Sequence, residues 1–455
     1  MWKSLSEVDP EWAWNPYVPA ADRPWTPRLA AHLHRRGAFG ATAAVVNAAV
    51  ALGPAAAVAS LFAAEEPEPF RKQMEDLTRA NIAGGDPKTL SAGWLYRLLA
   101  TPSPLRERSV LFWHGHFATS AAKVTDPELM SLQNATLRRH ALGSFGELAH
   151  DMARDPAMLI WLDSATNRRV HPNENFAREL MELFCLGEGR YTEADIRELA
   201  RCFTGWEVRR GRFRVNPEQH DTGRKTILGE SGEFSGEQGV DLVLRQAACP
   251  QFIVRKLIRQ FLFDEPEAPD ALVEPLARQF REQNLAIAPL LQRLLGSNLF
   301  FSPFSIGRRV KSPVELVVGL LRTLEGSTNV LRLSQPLAEL GQELFFPPNV
   351  KGWDGGRTWI NSATLLGRAN MVKSLLDDSS TRFGGGTLEE FMARQGTREA
   401  SEIVDRLIAL LFSVPIPAAA REAAITVIDS GGNSREQRLR NALHLLCALP
   451  EFQLV

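Results

Sequence analysis

Apolar residues recur at the three-to-four-residue spacing of an amphipathic helix along almost the whole chain, and this period limits the fold more than any other feature. Segments such as Ala43–Leu52, Pro104–Phe117, Glu174–Leu186, Pro250–Phe263, Pro313–Leu324 and Arg435–Cys447 all carry it. Strand alternation is scarce. Its clear instance is Glu207–Val215, where Arg209-Arg210-Gly211 is flanked by alternating apolar and basic residues. The expected fold is mainly all-α, a large multi-helix assembly with a small inserted β-hairpin. Residues 1–206 read as an N-terminal helical core and residues 207–237 as a hairpin and loop insertion. Residues 238–376 read as a second helical part of the same core, and residues 377–455 as a C-terminal helical subdomain. Within the insertion, the polar stretch Asn216–Glu237 reads as a loop able to act as a lid.

The net charge of −1 argues against nucleic acid as the main partner, because counterion release needs a concentrated basic surface. Arg209, Arg210, Arg212 and Arg214 do cluster, but on the expected hairpin, where a solvated surface accounts for them. The four cysteines form no CxxC pair and sit among apolar neighbours, so buried free thiols are expected. The apolar run Ala41–Ala64 is split by Asn47 and by Gly53-Pro54, which suits two packed helices rather than a membrane span. The opening MWKSLSEVDPEWAW lacks the basic start and apolar core of a secretory signal. A cytoplasmic location is therefore expected, with export alongside a partner left open.

The segment from His171 to Trp206 holds the chain's most conspicuous charges. Pro172 keeps His171 extended, Asn173 is a plausible N-cap, and Glu174 lies at the positive end of the helix that follows. Phe176, Leu180, Leu183 and Phe184 make one apolar face, leaving a polar stripe of Asn175, Arg178, Glu179 and Glu182. Arg178 and Glu182 are four apart and can pair. Thr192 caps the next helix, with Asp195 at the capping-box position. Charges on such helices must be paired, metal-bound or used in chemistry. An Arg/Glu lattice between the two helices is the simplest account.

Phe112-Trp113-His114-Gly115-His116-Phe117 is the second notable feature. On an extended chain the two histidines lie on one side; in a continuous helix they diverge by about 200°. Gly115 allows a break, although two core histidines bonded to backbone would look the same in sequence. With His171 and Glu174 they suggest a ligand set for a divalent transition metal such as iron, zinc or copper, held between helices. Glu179 and Glu182 would then be the catalytic carboxylates. His220, with Asp221 and Lys225, offers a mobile acid or base, or merely a turn. The stretch Phe345–Trp353 with Trp359-Ile360-Asn361 reads as an aromatic loop at a pocket mouth or packed over the bundle. Arg308, Arg309 and Lys311 precede a helix start at Ser312-Pro313-Val314-Glu315 and would bind an anion or pair with the acid-rich helix. The chain has no Walker loop, GxGxxG after a strand, GxSxG elbow or HExxH.

Several segments in order give the chain a family likeness: Ala31-His32-Leu33-His34-Arg35-Arg36, FWHGHF, NENFARELMELFCLGEG with YTEADIRELARCFTGW, His220-Asp221, FIVRKLIRQF, RVKSPVELVVG and PPNVKGWDGGRTWIN. On these the chain resembles the bacterial domain of unknown function 1800 family. The resemblance implies a large, mainly helical protein encoded beside a phosphatase-like partner, in a family with many exported members, and names no reaction. Three functions are expected to compete. The first is a metal-dependent enzyme, with oxidation as one of its chemistries, built on the His/Glu set. The second is a non-enzymatic binding or assembly protein that docks a partner at Trp353. The third is a metal-independent hydrolase or transferase using Glu179 and His220.

Overall fold

A computed structural model describes residues 4–455. It is built of α-helices joined by short loops, with three two-stranded antiparallel sheets. Many helices begin at a capping residue followed by proline: Thr26-Pro27, Asp86-Pro87, Asp126-Pro127, Asp155-Pro156 and Ser312-Pro313. The cap's side-chain oxygen accepts an otherwise orphaned N–H, while proline supplies a fixed φ where no donor is needed. A reciprocal capping box starts the helix Glu193–Cys202, as the sequence indicates, and another starts Pro313–Thr323, where the sequence indicates a helix start. The buried apolar side chains form one contiguous cluster running from Leu5 to Phe452. All four cysteines are free and buried. The run Ala41–Ala64 forms two helices, Ala43–Leu52 and Pro54–Ala63. Among the described residues no helix is long and apolar enough to cross a membrane.

The expected hairpin pairs Trp206–Arg209 with Arg212–Val215. Arg210 and Gly211 both have positive φ, the geometry a two-residue turn needs to match strand twist. A second hairpin, Lys225–Ile227 with Glu230–Gly232, lies inside the stretch read as a loop. Its three-residue strands are too short to show alternation. The helices Pro27–Ala38, Leu388–Arg394 and Ala418–Asp429 also lay outside the periodic segments read from sequence. The first is buried on nearly every side from Ala30 to Ala38, with His32, His34, Arg35 and Arg36 among its buried residues. A helix without a solvent face has no polar stripe to reveal its period. The acid-rich helix differs from expectation as well: it is α-helical over Asn175–Glu179 and widens into a π-helix over Leu180–Cys185.

Candidate functional site

The double-histidine segment is one continuous helix, Pro104–His116, so its two imidazoles diverge instead of sharing the side expected of an extended chain. His114 is buried against Trp94, Phe345 and Trp353. Its Nε2 accepts the Phe345 N–H at 3.2 Å, which places the ring proton on Nδ1, and burial pulls its pKa down to about 3. His116 turns the other way. Its Nε2 donates to the Phe184 carbonyl at 3.0 Å, so Nδ1 keeps its lone pair and accepts from Lys256 Nζ at 2.9 Å. Burial, helped by the Lys256 charge, holds His116 neutral well below its ordinary range.

The remaining predicted residues are satisfied locally. His171 is exposed in a turn that its N–H closes onto the Arg168 carbonyl. Glu174 pairs with Arg178 at 3.3 Å, and Arg178 reaches across to Glu193 at 2.8 Å, linking the two helices. The expected Arg178–Glu182 pair is not made; Glu182 accepts instead from the Tyr191 hydroxyl at 2.8 Å. Glu179 is half-buried and its carboxyl is raised, first by burial and then by Glu182, with Arg178 and Lys351 opposing. His220 bonds the Thr204 carbonyl through Nδ1 at 2.9 Å. Asp221 is clasped by Arg201 at 2.7 and 3.2 Å and closes a turn onto Gly223 N–H. Lys225 is buried on the carbonyls of Asp221 and Gly223. His114, His116, His171 and Glu174 therefore do not converge. Among the described residues no group of three or more His, Cys, Asp or Glu is arranged to hold a metal ion, so the expected ligand set does not fit a resident metal.

The structure brings a different set together, beginning at the end of the acid-rich helix. The π-helix closes with Leu186 and Gly187 N–H groups both on the Met181 carbonyl, leaving later carbonyls open. Phe184 O takes the His116 proton and Leu183 O takes Lys256 Nζ at 3.3 Å. Lys256 stands on the helix Ala248–Phe261 and lies over the Phe252 ring at 4.9 Å. Burial, and then the nearby Arg259 charge, lower its pKa to about 8. No carboxylate among the described residues forms an ion pair with it.

Lys256 borders a cleft of about 160 Å³ also lined by Phe112, Arg259, Arg309, Lys351 and Trp353. One wall is the loop carrying Lys351–Gly356. It lies directly on the double-histidine helix: a Cβ on Gly352, whose φ is +78°, would sit 2.1 Å from the Gly115 carbonyl oxygen. Trp353 covers Gly115 and packs against His114 with the rings tilted by 52°, and its indole Nε1–H is buried without a partner. Arg259 donates to the Asp354 carbonyl at 2.8 Å, fixing the loop's far end.

The back wall is a buried ion network. Glu315 accepts from Arg108 and, at 3.0 Å, from Arg309; Arg309 Nε lies 3.4 Å from Asp264, a charge contact rather than an aligned hydrogen bond. Burial alone would raise the Glu315 carboxyl, but Arg108 and Arg309 outweigh it and hold it well below the usual range. Glu315 also accepts from the Ser312 N–H as half of its helix's capping box, so one carboxylate fixes a helix start and two guanidinium groups. Arg36 lies behind, bonded to the carbonyls of Leu262 and Ser305. Of the basic run before Ser312, Arg309 thus pairs with the helix that follows and not with the acid-rich one, and Arg308 donates to the Pro303 carbonyl. Lys311 goes elsewhere, to the Phe452 carbonyl at 2.7 Å.

Lys256, Arg259 and Asp264 were not singled out by the sequence reading, although FIVRKLIRQF contains the first two. Four of the segments carrying the family likeness meet here: FWHGHF, FIVRKLIRQF, RVKSPVELVVG and PPNVKGWDGGRTWIN. A family model described as a protein of unknown function, DUF1800, matches residues 32–454. The chain belongs to this family. The matched span of this DUF1800 protein includes every residue of the cleft. No curated protein and no solved structure matches the chain.

Proposed function

We propose that this DUF1800 protein binds a small organic or inorganic anion in the Lys256 cleft. One observation carries the reading: the cleft's cations outnumber the carboxylates free to neutralise them. Glu315 and Asp264 are committed to Arg108 and Arg309, whereas Lys256, Arg259 and Lys351 have no ion pair among the described residues. Asp354 is the cleft carboxylate without an ion pair; it is exposed, as are Arg259 and Lys351, and Lys256 is the enclosed cation of the three. An uncompensated cation is costly to enclose, and an anion about 4 Å away gains roughly 4 kcal/mol per charge pair at an effective dielectric constant of about 20, before its own desolvation. The unpartnered Trp353 N–H adds a donor that an oxyanion would satisfy. A cavity of this size suits a ligand of roughly benzene's bulk.

A phosphatase-like partner, expected from the family resemblance, fits this reading because it would release an oxyanion. His114, His116, His171 and Glu174, the residues of the metal-dependent reading, each have separate local partners. Calorimetric titration of the whole protein with phosphate, sulfate, oxalate and pyruvate tests the proposal. Binding of at least one, weakened about ten-fold or more in Lys256→Met, is the expected result, equivalent to roughly 1.4 kcal/mol. Heat from none of the four at millimolar concentration would overturn it.

A further inference from the structure

We propose that Lys256 captures small 2-oxo acids as a reversible imine, with the acid's carboxylate held by Arg259 and Lys351. This rests on the anion-binding reading and names its substrate class. A lysine that only neutralises an anion needs charge alone. Lys256 has in addition a hydrogen-bond acceptor of fixed tautomer at its nitrogen. The His116 ring is locked by the Phe184 carbonyl so that Nδ1 presents a lone pair 2.9 Å from Nζ. The same cleft holds two exposed cations without ion pairs among the described residues and is walled by Trp353, whose buried indole N–H has no partner. The cations suit the carboxylate, and the indole N–H suits the oxygen that becomes negative when a carbonyl is attacked.

The step balances without an oxidant. The neutral amine's lone pair forms a bond to the keto carbon, and the carbonyl π pair moves onto oxygen. One nitrogen proton passes through His116 Nδ1 to that oxygen. Nitrogen then expels hydroxide, which leaves as water with a second proton, and the imine remains. Hydrolysis reverses each event. The titratable or charged groups facing the amine are His116, Cys185 and Arg259, on three different helices. Burial and Arg259 bring its pKa from 10.5 to about 8, raising the neutral fraction at pH 7 by roughly two orders of magnitude.

The test is reductive trapping of the whole protein with pyruvate and cyanoborohydride, followed by peptide mapping, alongside calorimetry with pyruvate and with lactate, which has no carbonyl carbon to attack. The expected result is a single reduced pyruvate adduct on Lys256. It should form there in preference to exposed Lys72, which has no cleft to hold the acid's carboxylate beside its amine. Lactate should suppress it, its yield should rise with pH to a plateau above about 8, and Lys256→Arg should abolish it. If pyruvate and lactate both bind but Lys256 carries no adduct, the imine proposal fails and the anion reading stands. If neither binds, the imine proposal fails, and the anion reading fails with it only when phosphate, sulfate and oxalate give no heat either. Adducts spread over exposed lysines and insensitive to lactate also overturn the imine, and this arm needs only the native protein.

Discussion

The acid-rich stripe and the basic cleft are neighbours, since the helix that carries the stripe ends on the carbonyls that hold His116 and Lys256, yet they treat charge in opposite ways. Along the stripe, Glu174, Glu179 and Glu182 are half-exposed, and Arg178 and Tyr191 lie within easy reach. Solvent and local partners complete them, and such pairs contribute little to stability. At the helix's end, open carbonyls hold His116 and Lys256, whose partners come from segments distant in the chain. In the cleft, Lys256 and the Arg108–Glu315–Arg309 network are enclosed by tertiary structure, and Lys256 lacks a carboxylate altogether. Local charge density therefore misdirects the search for a site. What distinguishes the cleft is charge left over after the protein's own pairings are made.

The sharpest way to break this contrast is to unbalance the network behind the cleft. Glu315→Gln leaves Arg108 and Arg309 facing each other in the interior, where removing one partner of a buried pair costs about 3–5 kcal/mol. Urea denaturation should show a loss of that size. A loss under about 1 kcal/mol would mean that the network is solvated like the stripe. Next in size is Gly352→Ala. Its positive φ and the Gly115 carbonyl both oppose a side chain, so the loop must shift, at a cost of about 1–3 kcal/mol. Trp353 fluorescence should change and anion binding should weaken; a variant with native binding would show that the loop does not form the cleft wall.

Much of the fold was legible because helix caps and apolar periods are local. Ser312–Glu315, Thr192–Asp195 and the Arg210-Gly211 turn all formed as their sequences indicated. The candidate site was not, for three physical reasons. His114 and His116 share a motif but occupy opposite sides of a continuous helix, since Gly115 does not break it. The π-helix that frees the carbonyls of Leu183 and Phe184 leaves no mark in the apolar pattern of Phe176, Leu180 and Phe184. Lys256 lies off its helix's apolar stripe, where a lysine reads as solvated; only packing against Pro104–His116 and the acid-rich helix encloses it.

Lys256 also separates the two regions through pH. Its folded pKa of about 8 lies below the ordinary 10.5, so the native state binds fewer protons than the unfolded state between those values. Stability then rises with pH across that window, and below about 8 the enclosed ammonium is a standing cost. Lys256→Met removes that cost. After discounting for partial solvent access, the variant should be more stable than native by about 1–2 kcal/mol at pH 7. The gain should shrink as pH rises from about 8 to 10.5. Thermal melts across that range check it; a variant less stable at pH 7 would mean that Lys256 is held by its carbonyl contacts more strongly than burial opposes it.

The smallest effect belongs to the stripe. Glu182→Gln keeps an oxygen for the Tyr191 hydroxyl and removes one half-exposed charge, so stability should change by less than about 1 kcal/mol. Anion affinity should stay within about two-fold, because Glu182 is not among the residues lining the cleft. The pairing between helices through Arg178 and Glu193 remains intact in this variant, which isolates the carboxylate's own role. If Glu182→Gln instead altered anion binding as strongly as Lys256→Met, the stripe and the cleft would be one electrostatic unit. The distinction between locally completed charge and charge left for a ligand would then have no force here.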